Sequence, residues 1–334
     1  MARFGTTAFL LAALMLSACD DGGPYRMGTS AQELGYRDLG QALQTELGRR
    51  GSLTLELVET DGSVDNAARL LDGDLDFALV QGGFIFDVTG LTLLAHVDTE
   101  YLHVVVPNDS GVRDLADLAG KRVAAGIAGT GSRKIAESLV RAAQFDPPAE
   151  FVAMTRSAAL AGLAAGEVDV AVFVTGLRRE LGPLLTDGRF RLVGVETAEA
   201  LALLLYDMEV AAIPAGVYGA NLALPPVPVT SLATSTNLLA RHDVPDGAVR
   251  RVMQALFSHR VQRDARLPRL SEETARPGSE AYLHPAAEAY YRRNDPVTAD
   301  QFEIAAFWLA AAIAILGLIR YVWQRYRRWR VPSA

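Results

Sequence analysis

The sequence combines two glycines and two hydroxyl side chains in one short turn, Gly129-Thr130-Gly131-Ser132. Glycines let the backbone approach a ligand closely, and a turn that opens a helix offers unpaired N–H groups with about half a positive charge. That chemistry suits a carboxylate. Ser132 stands where a phosphate-binding loop has lysine, and the third glycine of a dinucleotide-binding turn is missing. The turn therefore predicts a ligand-binding loop, with a tight turn that caps a helix as the alternative.

Further hydroxyl and amide side chains follow predicted strands, at the strand ends where ligands bind in open α/β sheets. Gln81 ends a buried apolar strand, so its side chain needs a polar partner, and we expect that partner to be the ligand. Thr175 closes another strand, and Tyr218 lies in a return segment rich in proline and glycine. Three more hydroxyls, which could equally well cap helices, complete the set. They are Thr29, Ser30 and Ser63.

Composition and spacing exclude several other chemistries. The chain has 5 His and 1 Cys without the spacing of a metal site, so we expect neither a metal nor a cofactor. The sequence has no Gly-x-Ser-x-Gly nucleophile motif and no His paired by motif with a nucleophile, which argues against an enzyme. The net charge of −7 argues against a nucleic-acid partner. His103 lies in an apolar run and is predicted to be structural.

The elements that would position these residues alternate between strand-like and helix-like runs. This order predicts an α/β fold whose sheet is mainly parallel with right-handed crossovers. We assign 19–105 and 206–295 to a first lobe and 106–205 to a second lobe. The chain is predicted to cross between the lobes near 101–107 and near 205–212. Paired crossings form a hinge, and ligands then bind in the cleft between the lobes.

The N-terminus has the features of a secretory signal peptide over residues 1–18. Arg3 precedes an apolar stretch of residues 4–16, and small residues lead to Cys19. The apolar stretch is shorter than the roughly 20 residues of a membrane span. Leu16-Ser17-Ala18-Cys19 resembles the bacterial lipobox, which implies cleavage before Cys19 and lipid attachment to it. An ordinary signal peptide followed by a chance cysteine is the alternative.

A second apolar run precedes the basic C-terminus. Residues 304–323 reach the roughly 20 residues of a transmembrane helix, and the arginine-rich tail 324–334 predicts a cytoplasmic end. A buried core helix followed by a basic surface patch is the alternative. Six of the 32 basic residues and none of the 39 acidic residues lie in the two ends, so the body carries a net charge of −13. We expect the body on the periplasmic or extracellular face of the inner membrane.

Several motifs of the body resemble those of TAXI-family solute-binding proteins, a group of type II periplasmic binding proteins. The motifs are Asp76–Gln81, Asn108–Val112, Asp117–Val123, Gly126–Ser132, Ala164–Val174, Ile213–Tyr218 and Tyr282–Tyr290. The resemblance covers about residues 25–291 and implies two Rossmann-like lobes joined by a hinge. It also implies capture of a small solute, usually a carboxylate, for the membrane subunits of a TRAP-type transporter. The chain departs from the family at Gly28-Thr29-Ser30 and at Gly82-Gly83.

These observations predict a receptor that binds a carboxylate-bearing or amino-acid-like solute between its lobes. Ligand contacts are expected from Thr29, Ser30, Ser63, Gln81, Gly129, Thr130, Gly131, Ser132, Thr175 and Tyr218. Two other hypotheses stay open. The body could be a ligand-sensing ectodomain that signals to a membrane partner through the helix 304–323. It could also be a scaffold whose cleft is vestigial, because both departures from the family fall where the ligand would bind.

Overall fold

The computed structural model describes residues 23–30, 36–83, 89–177, 181–278, 282–295 and 299–329. The predicted signal peptide 1–18 and Cys19 lie outside these residues. The chain divides into two compact units, Met1–Tyr290 and Tyr291–Ala334. The first unit contains every predicted ligand-binding residue, and the second contains the predicted transmembrane helix.

Strands and helices alternate along the first unit. The strands are β1 (Tyr25–Gly28), β2 (Leu55–Val58), β3 (Phe77–Gln81), β4 (Leu91–Pro107), β5 (Arg122–Ala124), β6 (Glu150–Val152), β7 (Val170–Thr175), β8 (Phe190–Val193), β9 (Glu209–Ile213) and β10 (Val229–Arg241). The helices are α1 (Tyr36–Arg50), α2 (Ser63–Leu71), α3 (Gly131–Ala143), α4 (Arg156–Ala165), α5 (Gly182–Thr186), α6 (Ala198–Leu204), α7 (Asp246–Leu256), α8 (His259–Asp264), α9 (Glu272–Ala275), α10 (Pro285–Arg292) and α11 (Ala299–Trp329). Short 3₁₀ helices span Leu115–Leu118 and Ala220–Leu222.

The strands form one ten-stranded sheet with the order β2-β1-β3-β10-β4-β7-β5-β6, to which β8 adds on β4 and β9 on β10. One end is parallel, because β1 pairs in parallel with β2 and β3. The other end is also parallel, because β5 pairs in parallel with β6 and β7. Each end is thus a βαβ unit of the kind that needs a helical crossover. The predicted α/β fold class is confirmed by this topology. The expectation of a mainly parallel sheet is wrong. Of the nine strand pairings in the described residues, five are antiparallel, those of β10 with β3, β4 and β9 and those of β4 with β7 and β8.

Two long antiparallel strands join the parallel ends. β4 pairs with β10 from Leu91 to Tyr101 and then with β7 and β8 as far as Pro107. The sequence has two extended apolar runs here, 91–95 and 101–107, and in the structure they belong to one strand. All of the intervening residues except Val97 are polar, and the segment continues the strand because its backbone pairs with β10. At about 3.3 Å per residue, this strand runs roughly 55 Å through both halves of the sheet.

The pairing register brings the ends of β3 and β7 to the middle of the joining strands. Gln81 lies opposite Thr236 of β10, and Thr236 lies opposite Asp98 of β4. Three residues beyond Asp98, Tyr101 lies opposite Thr175 at the end of β7. Measured along β4, the carboxyl ends of β3 and β7 therefore lie only a few residues apart. The lobe boundaries 19–105, 206–295 and 106–205 stay predictions.

Apolar runs place β3 and β7 at the centre of the core. Every residue of both strands is buried. Strands buried on both faces are expected to be continuously apolar, as these two are up to their final residues. Those final residues, Gln81 and Thr175, are polar and 3% and 2% exposed. Buried polar side chains need hydrogen-bond partners, so the strand ends carry the polar chemistry of the core.

The second unit contains the 31-residue helix α11. Within it, Ala306–Tyr326 is long and apolar enough to cross a membrane by length and composition. Its apolar side chains are exposed in this structure, with Trp308 and Leu316 at 68% and 66%. An apolar helix with exposed side chains all round does not match the buried core helix that the sequence left as the alternative.

Candidate functional site

The end of β3 is tied to β7 by a side chain. The Gln81 amide Nε2 donates to the carbonyl oxygen of Val174 at 3.0 Å, across 93 positions of sequence. The backbone N–H of Gln81 donates to the hydroxyl of Ser63 at 3.0 Å. Gln81 thus connects three elements, β3, α2 and β7, through polar groups that are all buried. The partner of this amide in the structure is a backbone carbonyl.

The glycine-rich turn packs against the same place. The backbone N–H of Val64 in the first turn of α2 donates to the carbonyl of Gly129 at 3.1 Å. A Cβ on Gly131 would lie 2.2 Å from Gln81 Oε1, and a Cβ on Gly129, which has a φ of +88°, would lie 3.0 Å from the Cβ of Asp61. Only glycine allows these approaches without displacing a neighbour. The turn is therefore fitted to α2 and to Gln81.

The two hydroxyls of the turn are bonded within the chain. Thr130 is the N-cap of α3, where it accepts from the backbone N–H of Arg133 at 3.4 Å and donates to Ile127 O at 2.8 Å. The Ser132 hydroxyl donates to Val174 O at 3.2 Å and accepts from Val174 N at 3.1 Å. Ser132 and Gln81 therefore share the Val174 carbonyl. A ligand at this site would have to exchange with these contacts.

The predicted hydroxyl residues that follow β1 and that begin α2 are also buried. Thr29 is 3% exposed and donates to Val58 O at 3.3 Å, and Ser30 is 0% exposed. Ser63 is the first residue of α2, and the N-cap is Gly62. The capping role considered for Ser63 is therefore wrong. Its hydroxyl instead holds the end of β3 by accepting from Gln81.

A buried polar cluster extends this arrangement, and sequence reasoning missed it. The Tyr36 hydroxyl lies 3.4 Å from the Ser63 hydroxyl. Thr236 donates to Glu100 Oε1 at 2.7 Å, and Glu100 is 5% exposed. Burial, and then the charge of Glu100, raises the pKa of Tyr36 well above its usual value. An acidic residue directly before the apolar run 101–107 is the signal that could have identified Glu100, because buried carboxylates need strong partners.

The other two predicted residues lie elsewhere. The hydroxyl of Thr175 accepts from Arg156 Nη2 at 3.4 Å. Tyr218 packs in an apolar cluster with Phe173 and is hydrogen-bonded to His103. The structure does not bring these two side chains into the contacts made by Gln81 and Ser63. Sequence order could not separate them from the rest, because each also follows a strand.

His103 is structural, as the sequence predicts. Its ring is 0% exposed, and Nδ1 lies 2.7 Å from the carbonyl of Tyr101. A carbonyl only accepts, so Nδ1 carries the proton and Nε2 accepts from the Tyr218 hydroxyl. Burial lowers the pKa of His103 to about 4 and raises the pKa of Tyr218. This neutral pair links β4 to the segment that follows β9, and it supplies no charge for a ligand.

A family model described as the NMT1-like family matches residues 34–294. This chain belongs to the NMT1-like family. The match spans most of the region over which the sequence motifs resemble TAXI-family proteins. The TAXI assignment is finer than this family and stays a prediction.

Several solved structures are similar to the NMT1-like chain. The GluR0 ligand-binding core from Nostoc punctiforme, in complex with L-glutamate, is 14% identical, with 73% of this chain and 96% of that one covered and a TM-score of 0.48. The arginine-, lysine-, histidine-binding protein ArtJ from Geobacillus stearothermophilus is 16% identical, with coverages of 70% and 88% and a TM-score of 0.42. XAC2383 from Xanthomonas citri, bound to ATP, is 11% identical, with coverages of 81% and 95% and a TM-score of 0.46.

The departure from the TAXI-family motifs at Gly82-Gly83 has a physical reason in the NMT1-like chain. A Cβ on Gly82 would lie 2.1 Å from Asp207 Oδ2, and a Cβ on Gly83 would lie 2.7 Å from Met208 Sδ. Gly83 also has a φ of +82°, which favours glycine. The two glycines therefore make room for residues 207 and 208, which precede β9. Side chains at positions 82 and 83 would force this segment away from the end of β3.

A cavity of about 1280 Å³ lies beside the joining strands of the NMT1-like chain. It is lined by parts of β4 and β10, by residues 207–209 and by the segment 259–274. All ten predicted ligand-binding residues are in the described part of the chain, and none of them lines this cavity. Within the described ranges, no group of three or more His, Cys, Asp or Glu could hold a metal ion.

Proposed function

We propose that this NMT1-like protein is an extracytoplasmic receptor that captures a small solute, with a carboxylate or an amino-acid-like structure, between two lobes. The observation that carries the proposal is the hydrogen bond from Gln81 to Val174, which links the ends of strands from opposite halves of the sheet. Ligand-binding loops of an open α/β fold lie at such strand ends. Six of the ten predicted residues lie on the elements that meet here. They are Ser63, Gln81, Gly129, Thr130, Gly131 and Ser132. Thr29 and Ser30 follow the neighbouring strand β1.

The contacts between the halves at this point are of a kind that a solute can replace. Gln81 to Val174 and Val64 to Gly129 are neutral hydrogen bonds. Each contributes a net free energy of only about 0.5–1.5 kcal/mol. A carboxylate that accepts from Val64 N–H and from the Ser132 hydroxyl would form charge-assisted bonds, which are roughly twice as strong. Solute binding then supplies the free energy that favours one arrangement of the lobes.

The joining strands β4 and β10 act as the hinge in this proposal. Both are continuous through the sheet, so small changes spread over many residues can turn one half against the other. The pairing of β4 with β10 shifts register between Thr236 and Asn237 and between Leu238 and Leu239, and the extra residue lies in β4 each time. Bulges of this type bend a strand and weaken its pairing locally. The register shift after Thr236 lies beside Gln81 in the sheet. Bending of the joining strands there would separate the loops most effectively.

The membrane setting of the proposal combines two anchors. Cys19 would carry lipid after removal of 1–18, and the segment 304–323 would span the inner membrane with the tail 324–334 in the cytoplasm. The acidic body would then work at the outer face, where it would deliver solute to the membrane subunits of a TRAP-type transporter. Support comes from the motif resemblance and from the exposed apolar surface of α11.

Sensing is the second candidate, and the helix α11 is the observation that favours it. A helix of 31 residues continuing from the C-terminal end of the body could carry the ligand state to a membrane partner. A scaffold with a vestigial cleft is favoured by the internal bonding of Thr130 and Ser132. Adjacent genes for transporter membrane subunits support uptake, and an adjacent kinase or regulator supports sensing.

Calorimetric titration of the full-length protein in detergent tests the proposal. The probes are the twenty amino acids and the C4 dicarboxylates. Gln81→Ala and Ser132→Ala should weaken binding of the active probe by about tenfold, because each removes a polar group at the meeting point of the loops. Ser138→Ala on the same helix is the control and should leave affinity unchanged. Unchanged affinity in both loop variants contradicts the assignment of the site, and the lack of any binding probe favours the scaffold.

A further inference from the structure

The cavity beside the joining strands is lined by acidic groups from two segments of the chain and by basic groups from a third. Asp98 comes from β4, and Asp207 and Glu209 come from the segment that enters β9. Arg263, Arg266 and Arg269 come from the end of α8 and the loop that follows it. The volume of about 1280 Å³ exceeds the 300–1,000 Å³ of most small-molecule pockets, so it has room for a solute and its water.

Asp207 is held in place by the end of β3. Its Oδ2 lies 3.4 Å from the Thr234 hydroxyl, and its carboxylate also accepts from the backbone N–H of Gly83. The absence of side chains at Gly82 and Gly83 is what allows this approach. Desolvation raises the pKa of Asp207 above the usual range. A carboxylate that loses water and is fixed by its neighbours is well placed to bind a cationic group.

A second acidic residue is fixed in a similar way. Asp98 Oδ1 accepts from the backbone N–H of Thr99 at 2.9 Å. A Cβ on Gly176, directly after β7, would lie 2.7 Å from Asp98 Oδ2. Asp98 therefore lies where β4 passes from one half of the sheet to the other. Two carboxylates from separate segments thus line one cavity.

The backbone points to the same cavity. In the described part of the chain, four non-glycine residues have a positive φ, and two of them line the cavity: Asp207 at +50° and Arg266 at +57°. Asp207 tolerates this backbone through its short polar side chain. Arg266 adopts it in the turn that ends α8, where its N–H donates to Arg263 O and the N–H of Leu267 donates to Gln262 O. These local structures fix the backbone that presents Asp207 and Arg266 to the cavity.

We propose that this cavity binds a zwitterionic solute, with its cationic group at Asp207 and Asp98 and its anionic group at Arg266 and Arg269. A guanidinium donates two parallel hydrogen bonds to a carboxylate, which fixes the orientation of the solute. The site is distinct from the loops around Gln81, because none of those residues lines the cavity. Asp207 connects the two places physically through its contacts with Gly82 and Gly83.

Thermal-shift and calorimetric titration of the full-length protein in detergent test this site. The probes are the twenty amino acids and triglycine as zwitterions. Their N-acetyl forms lack the cation, and their amides lack the anion. At least one zwitterion should bind, and both of its blocked forms should lose binding by about tenfold or more. Binding of amino acids without triglycine identifies a free amino acid as the solute, and the reverse identifies a peptide.

Two variants separate a binding role from a structural one. Asp207→Asn removes the charge and keeps a residue that tolerates left-handed backbone. Arg266→Gly removes the guanidinium and relieves the backbone, so it should raise the unfolding midpoint while it weakens binding by about tenfold or more. Gln144→Gly is the matched control, since Gln144 is also left-handed and lies outside the cavity. It should raise the midpoint and leave affinity unchanged.

Three results would overturn the proposal. The first is that no zwitterion binds, and the second is that a blocked form binds as well as its parent. The third is that Asp207→Asn and Arg266→Gly keep the affinity of the intact protein. If affinity falls in Gln81→Ala and Ser132→Ala and stays unchanged in the two cavity variants, the solute binds at the loops alone. If the pattern is reversed, the cavity site stands and the loop assignment fails.

Discussion

The substitution Gly131→Ala tests whether the loops from the two halves of the sheet meet in solution. A Cβ at this position would lie 2.2 Å from Gln81 Oε1 and 3.0 Å from Gln81 Cβ. The amide oxygen can move only if Nε2 gives up its bond to Val174, and the Cβ moves only with the strand. Insertion of a methyl group into such a contact costs about 1–3 kcal/mol. The gain in helix propensity from Gly to Ala offsets at most about 1 kcal/mol.

The sign of the change in the free energy of unfolding therefore tells whether Gly131 contacts Gln81 in the folded protein. Urea unfolding of the full-length protein in detergent should show Gly131→Ala to be destabilised by about 1–2 kcal/mol. Gly48→Ala in α1 is the matched control, because a Cβ there meets nothing within 4 Å. The control should be stabilised by up to about 1 kcal/mol. If Gly131→Ala is stabilised as much as the control, the Gly131–Gln81 contact is not part of the folded state and the reasoning about loop closure is refuted.

Three further outcomes are expected. Hydrogen bonds from Arg49 and Arg50 lower the pKa of Glu46 to about 2, so Glu46→Gln should lose about 2 kcal/mol of stability at pH 7. That loss should shrink as the pH falls below the ordinary value of 4.5 towards 2, and a constant difference in urea unfolding would contradict it. Burial lowers the pKa of His103 from 6.5 to about 4, so acidification across that window should destabilise the intact protein by up to about 1.4 kcal/mol per pH unit. His103→Gln should show a flatter pH profile, and an equally steep one would exclude this group as the cause. A reporter fused after Ala334 should be active in the cytoplasm, and a periplasmic signal would refute the predicted orientation.

Periodicity was sufficient to predict most of the fold, and it failed where a strand carries polar residues. The continuous apolar runs of β3 and β7 correctly predicted buried strands. β4 shows in the sequence as two apolar runs, 91–95 and 101–107, because residues 96–100 interrupt the apolar pattern. Those residues face a cavity and the polar cluster, so burial does not select apolar side chains there. Backbone pairing with β10 keeps them in the strand, and that pairing connects positions far apart in sequence.

The candidate site was predictable only as far as strand ends could be read from the sequence. Gln81, Ser63 and the turn 129–132 follow strands, and the structure brings them together. Glu100 and Thr236 lie in the middle of long strands, and their proximity depends on the register between β4 and β10. No local pattern encodes that register. Tyr218 follows β9 and its position in the sequence predicts a ligand contact, yet its ring packs in the apolar cluster around Phe173.

The distance between the two halves of the sheet, measured with and without solute, tests the central claim most directly. Spin labels at Asp72 and Glu167, both exposed, would report this distance by pulsed electron paramagnetic resonance in a Cys19→Ser variant. Addition of the amino-acid and dicarboxylate probes should shift the distribution towards one short distance, because the bound solute favours the closed lobes. A distribution that stays the same with every probe would contradict a receptor that closes on its ligand.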